Sequence, residues 1–216
     1  MLWLARIEPV CKSLQDDYTG SPLIMRKATI HRSTRETGID VTFIIDGNGA
    51  SEINTGVAFL DHVLDSFVRH GLFDLTINAT GDLELGDHHL VEDIGIVLGQ
   101  AISESLGDRA GVVRFADIRV PMDETIASVV LDLSGRSYLA FDAHFSSDVV
   151  GDLTTQMVPH FFHSLISNAG INAHISAQGE NDHHMIEAIF KAFGIAFARA
   201  AAIERSDIPS TKGVLA

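Results

Sequence analysis

Asp87-His88-His89-Leu90-Val91-Glu92 and Asp182-His183-His184-Met185-Ile186-Glu187 are one phrase written twice, 95 residues apart. Working outward, further blocks repeat in the same order. Glu36-Thr37 heads an alternating run that closes on Asp46-Gly47, and Glu124-Thr125 heads one that closes on Ser134-Gly135. His62 with Ser66 matches His160 with Ser164. The offsets of 88, 98 and 95 residues leave room only for short insertions between blocks. Self-similarity on this scale marks an internal duplication. Its halves are expected over 24–110 and 111–216, joined near Asp108–Val113. Residues 1–23, interrupted by Pro9, Gly20 and Pro22, read as a poorly ordered N-terminal extension.

Each half carries the same succession of elements. Alternating residues predict strands over Ala28–Arg32, Ile39–Ile45 and Leu75–Leu85, with a bulge or bend at Gly81-Asp82. Apolar residues at helical spacing predict helices over Asp61–His70 and His89–Leu106. The second half predicts strands over Arg114–Val120, Thr125–Leu133, Tyr138–Ala143 and Asn172–Ala177, and helices over Leu153–Ser167 and His183–Glu204. The expected fold is therefore α+β: two halves, each a β-sheet covered on one face by two helices, packed together through those helices.

Composition narrows the chemistry. The 216 residues, 46% hydrophobic and 20% charged, suffice for a large core. A formal charge of −14 repels a phosphate backbone, so nucleic acid is not an expected partner. No apolar run is long enough to span a bilayer, and no secretory leader is evident, so no membrane partner is expected and the expected location is cytoplasmic. The single cysteine, Cys11, excludes an internal disulfide and a cysteine-built metal cluster.

The eleven histidines are the informative excess. On a helix, His88 and Glu92 lie one turn apart and about 40° apart around the axis, so both reach one ion. His89 points about 100° away and suits a second ion. The same holds for His183, His184 and Glu187. With His62 and His160 on matching helices, six imidazoles and two carboxylates make two sites of three nitrogens and one oxygen each. That donor set suits Mn, Fe, Co or Zn and leaves open positions for water or substrate. His31, His144, His163 and His174 have the ordinary reading of isolated polar side chains. Glu36 and Glu124 are turn carboxylates, and whichever faces the metals becomes a candidate general acid or base. Arg114, Arg136 and Lys212, with the hydroxyls of Ser210 and Thr211, are candidates for an anionic group. No Walker, dinucleotide or Gly-x-Ser-x-Gly motif is present.

The ordered blocks Arg32-x-Thr34-x-Glu36-Thr37, Phe59-Leu60-Asp61-His62, His70-Gly71-Leu72-Phe73-Asp74 and Asp87-His88-His89-x-x-Glu92-Asp93 open a longer series. It continues through Pro121-x-Asp123-Glu124, Asp132-Leu133-Ser134-Gly135-Arg136, His160-Phe161-Phe162, Gly179-Glu180-Asn181-x-His183-His184-x-x-Glu187-Ala188 and Pro209-Ser210-Thr211-Lys212-Gly213-Val214-Leu215. From Arg26 to Leu215 the chain resembles the imidazoleglycerol-phosphate dehydratases of histidine biosynthesis. It departs from the family pattern at Gly86, where a second acid usually precedes the first histidine pair. The resemblance implies ribosomal S5 domain 2-like halves. It also implies dehydration of D-erythro-imidazole glycerol phosphate to imidazole acetol phosphate through an imidazolate bound by two Mn(2+) ions. It assigns one metal to His62, His89, His183 and Glu187, and the other to His88, Glu92, His160 and His184. Glu36 becomes the acid/base and His70 lines the site; Arg114, Arg136, Ser210, Thr211 and Lys212 bind substrate. A homo-oligomer of 24 subunits with shared active sites is implied too. The alternatives from other classes are a non-catalytic metal-binding or assembly protein, which leaves Arg136 and Lys212 unexplained, and a metal-dependent phosphatase.

Overall fold

The first sheet grows from strand β2 (Thr37–Ile44), whose alternate residues Ile39, Val41 and Phe43 are fully buried. Its neighbours are β1 (Lys27–Ser33) and β4 (Asp74–Gly81), both antiparallel to it, and β3 (Ser51–Asn54) lies parallel to β4. The order is β1-β2-β4-β3. In the second half, β5 (Phe115–Met122), β6 (Thr125–Asp132), β10 (Asn172–Gln178) and β7 (Tyr138–Asp142) form a sheet of order β5-β6-β10-β7, and β7 again lies parallel to β10. The two sheets have one topology. The computed structural model describes residues 25–213 and residue 215; the expected extension over 1–23 and Cys11 lie outside the described residues.

Four helices fill the space between the sheets. They are α1 (Ala58–Gly71), α2 (His88–Leu106), α3 (Met157–Ala169) and α4 (Asp182–Ala201). Each packs most closely on a helix of the other half, α1 with α4 and α2 with α3. The duplication is visible in these contacts. A Cβ on Gly99 of α2 would stand 2.5 Å from the Leu165 carbonyl oxygen of α3, and one on Gly194 of α4 would stand 2.4 Å from the Phe67 carbonyl oxygen of α1. Glycine at both positions lets paired backbones touch. Around them the buried rings of Phe67, Phe162, Phe190 and Phe193 lock α1, α3 and α4 together, with Phe162 and Phe193 at 5.3 Å and Phe67 and Phe193 at 5.9 Å. No helix among the described residues is long and apolar enough to cross a membrane.

Several boundaries differ from the sequence expectation. The strand expected over Leu75–Leu85 stops at Gly81, and a 3-10 turn at Leu83–Leu85 follows, closed by Gly86 at φ 114. The helix expected from Leu153 starts at Met157. Residues 149–154 form instead a small hairpin of β8 (Val149–Val150) and β9 (Leu153–Thr154), because the Asp87 carboxylate accepts from the Thr154 amide and hydroxyl. The helix expected to reach Glu204 ends at Ala201, where Ile203 bridges to Val112. Strand β3 was not expected at all, since Ser51-Glu52-Ile53-Asn54 is short and polar.

Candidate metal centre and anion pocket

Because α1 pairs with α4 and α2 with α3, each histidine motif faces a helix from the opposite half. On α4, Asn181 caps the first turn, accepting from the amides of His183 and His184, which sets that motif at the helix start. Asp152, from the second-half hairpin, accepts from the Ala58 and Phe59 amides at 2.7 and 2.9 Å and so anchors the first turn of α1. His62 of α1 then meets His183 and Glu187 of α4. Both ring Nε2 atoms approach the same Glu187 oxygen, at 3.1 and 3.2 Å. Across the molecule, His160 of α3 meets His88 and Glu92 of α2, and both Nε2 atoms approach one Glu92 oxygen at 3.1 and 3.3 Å. In each triad the three donor atoms lie within 4.8 Å of one another.

These donors fit a bound cation. Two imidazole nitrogens turned onto one carboxylate oxygen form a pocket of lone pairs. The Nε2 of His160 is buried and, although 3.1 Å from Glu92, is not aligned for a hydrogen bond with it, an arrangement that costs free energy unless something fills it. Two nitrogens and an oxygen per triad, with no thiolate, suit a borderline divalent metal with positions to spare.

The adjacent histidines behave differently from the triad members. The rings of His88 and His89 are 6.0 Å apart at 82°, and those of His183 and His184 are 6.1 Å apart at 88°. Each pair therefore splits, as the helical spacing predicts. Yet His89 and His184 join neither triad: the four-donor sets implied by the resemblance are brought together three at a time. His89 instead directs Nδ1 to Asp82 at 3.0 Å, and His184 directs Nδ1 to Glu124 at 3.0 Å. The hydrogen bond to Asp82 raises the His89 pKa above the ordinary value.

Electrostatics separate the carboxylates by role. Burial would raise Glu187, but the hydrogen bonds from Lys191 and His62 outweigh it and bring the carboxyl to about 2. The Lys191 ammonium stands 2.7 Å from the oxygen of Glu187 that points away from the histidines. The His160 imidazole beside it lowers Glu92. Glu124, tied by His184, the Asn181 amide and Thr125, falls to about 2. Glu36 is 57% exposed in its side chain, 3.9 Å from His89, and accepts no side-chain hydrogen bond from the described residues. His70, on the last turn of α1, is lowered by burial and by the charge of Lys191, and so stays neutral at pH 7. Lys191 and Asp82 escaped the sequence reading; a lysine one turn after Glu187 was the available signal for the first.

The anion candidates gather in a cavity of about 530 Å³, lined by Arg114, Ser134, Arg136, Ser210, Thr211 and Lys212 among others. Arg114 adopts φ 82, a strained conformation for a non-glycine residue. Its guanidinium is spent on Asp132 at 2.7 Å and on the Pro209 carbonyl at 2.7 Å, so it holds the 209–212 segment against the second sheet. The side chains of Arg136 and Lys212 are exposed and make no hydrogen bond among the described residues. A separate cleft of about 590 Å³ is lined by Phe59, His62, Asp152, His183 and Glu187, and shares no residue with the anion cavity. Of the remaining histidines, His31 pairs with Asp40, His174 packs on Tyr138, and none joins a triad.

Comparison with known proteins agrees with this geometry. Residues 55–197 match the family model for imidazoleglycerol-phosphate dehydratase. The chain is 56% identical over 191 residues to the imidazoleglycerol-phosphate dehydratase of Methanococcoides burtonii, covering 88% of this chain and all of the relative. It is 54% identical over 193 residues to that of Methanoculleus marisnigri, again over 88% of this chain and all of the relative. Among solved structures, the dehydratase of Staphylococcus aureus superposes with a TM-score of 0.75 at 42% identity, over 82% of this chain and 99% of that one. The Pyrococcus furiosus dehydratase, solved in complex with (S)-C348, superposes with a TM-score of 0.75 at 36% identity, over 86% of this chain and all of that one.

Proposed function

Because the chain belongs to the imidazoleglycerol-phosphate dehydratase family, hydro-lyases of histidine biosynthesis, we propose that it converts D-erythro-imidazole glycerol phosphate to imidazole acetol phosphate with two Mn(2+) ions at each active site. The observation that carries this reading is the pair of two-histidine, one-glutamate triads, one on each helix pair that crosses between the halves. His62, His183 and Glu187 would hold one ion, completed by His89 of another copy; His88, Glu92 and His160 would hold the other, completed by His184 of another copy. Three donors per triad in one chain, with the fourth imidazole outside the triad, favour active sites shared between subunits of a homo-oligomer of 24 copies. When bound, the two ions supply Lewis acidity that stabilises the substrate's imidazole ring as an anion.

The remaining roles belong to the chain itself. Arg136 and Lys212 offer uncommitted cations to the phosphate, and Ser210 and Thr211 offer hydroxyl donors beside them. Arg114 sets the 209–212 segment in place and lends its charge to the cavity. Overall, one C–O bond and one neighbouring C–H bond break, water leaves, and the resulting enol becomes the ketone. Glu36 has a carboxylate free to move protons at the diol carbons. Glu124, held near 2 by its partners, is too weak a base for that task. His70, neutral at pH 7, lines the site beside Lys191 and Glu187. A biosynthetic enzyme of this class belongs in the cytoplasm.

The direct test incubates the Mn-loaded protein with imidazole glycerol phosphate and follows the ketone product. Ketone formation is expected. No turnover, with two ions per subunit verified, would sink the assignment, and free phosphate in place of ketone would favour a phosphatase.

A further inference from the structure

The two histidines left out of the triads are held in the same way by acids that come from different places. In the second half, Glu124 on the β5–β6 turn accepts from His184 Nδ1. Its repeat mate in the first half is Glu36, but Glu36 stays 3.9 Å from His89 Nδ1. The bond there is made by Asp82, from the turn that leads β4 into α2, at 3.0 Å. Asp82 matches Glu180 in the repeat, because the strands before them lie 98 residues apart (Ile77 opposite Val41, Ile175 opposite Val129), but Glu180 makes no hydrogen bond to His184 among the described residues. The first half thus obtains its orienting carboxylate from a separate element, and Glu36 remains uncommitted.

A carboxylate on Nδ1 fixes the imidazole tautomer. Nδ1 carries the proton, and the lone pair is confined to Nε2, on the far side of the ring. Both rings stand nearly perpendicular to their triad neighbours, and neither joins the triad of its own chain. We infer that Asp82 and Glu124 are positioning residues, which fix the tautomer and aim of His89 and His184 so that each presents Nε2 to an ion in another copy's triad. The inference rests on the ligand assignment proposed above. In the first half it adds that Asp82 releases Glu36 from this duty, so that one chain's duplicated acid serves two different ends.

The test compares Asp82→Ala, Asp82→Asn, Glu124→Ala and His89→Ala as assembled oligomers. Mn(II) affinity is read by chelator competition with elemental analysis, and metal-free thermal unfolding is measured in parallel. Removing such a carboxylate typically weakens metal affinity ~10- to 100-fold. Asp82→Ala is expected to weaken one of the two ions per subunit by that factor and leave the other near normal. Glu124→Ala is expected to do the same at the other ion. Asp82→Asn should restore most of the loss, since its amide oxygen accepts the same Nδ1 proton, and the metal-free midpoint of Asp82→Ala should stay at the parent value. Unchanged affinity at both ions in Asp82→Ala, with one ion lost in His89→Ala, would overturn the positioning role alone. Both ions retained in His89→Ala would instead overturn the ligand assignment beneath it. An Asn variant as damaged as the Ala variant, or a lowered metal-free midpoint, would reduce Asp82 to a structural residue.

Discussion

Glu36 and Glu124 are equivalent in the repeat and opposite in environment. Glu124 is held by a histidine, a hydroxyl and a backbone amide, whereas Glu36 is exposed and accepts no side-chain hydrogen bond from the described residues, with His89 3.9 Å away. Glu36→Gln should therefore keep two ions per subunit while lowering kcat by ~100-fold or more, the scale of one lost acid/base group; parallel metal analysis and turnover assays check both halves of the statement. Lys212→Ala should leave metal content alone and raise KM for the phosphorylated substrate, because its ammonium contacts nothing else among the described residues. The triad histidines on α2 and α4 were legible because adjacent imidazoles with a carboxylate three or four residues on have one economical use on a helix. Asp82 was not legible, since it meets His89 only through the turn geometry of 82–86, which Gly86 at φ 114 creates.

At the scale of elements, the triads depend on how closely the paired helices approach. Gly194→Ala would place a methyl 2.4 Å from the Phe67 carbonyl oxygen, so α4 must move off α1. The expected cost is ~1–3 kcal/mol of stability, seen as a lower denaturant midpoint. The ion held by His62, His183 and Glu187 should also weaken, while the one on α2 and α3 stays. The helices themselves were readable from apolar spacing, as were the longer strands from alternation. The misread ends share one cause: distant partners override local pattern. Asp87 draws Thr154 into a hairpin, and Val112 takes Ile203 out of α4.

Across the whole molecule, the two ions proposed per chain would couple binding to stability. Chelation should lower the thermal midpoint by removing a term of about 2.7 kcal/mol for each site held at a hundredfold excess over its Kd. Acid should do the same. Metal binding by imidazole competes with protonation, so loading falls over a mildly acidic window. Glu187, held near 2, stays ionised through that window. Its own contribution to stability is complete above the ordinary carboxylate pKa and fades only as pH falls toward 2. Ion content measured after desalting on either side of neutrality distinguishes the two effects.

The crossing of helices between halves has one more consequence. Each triad draws members from both sides of the exposed Gly107-Asp108 link, and α1 packs on α4 and α2 on α3 across it, so that covalent link carries little of the architecture. A chain severed there should reassemble from its two fragments, with an ion bound across each triad acting as the rivet that tightens their embrace.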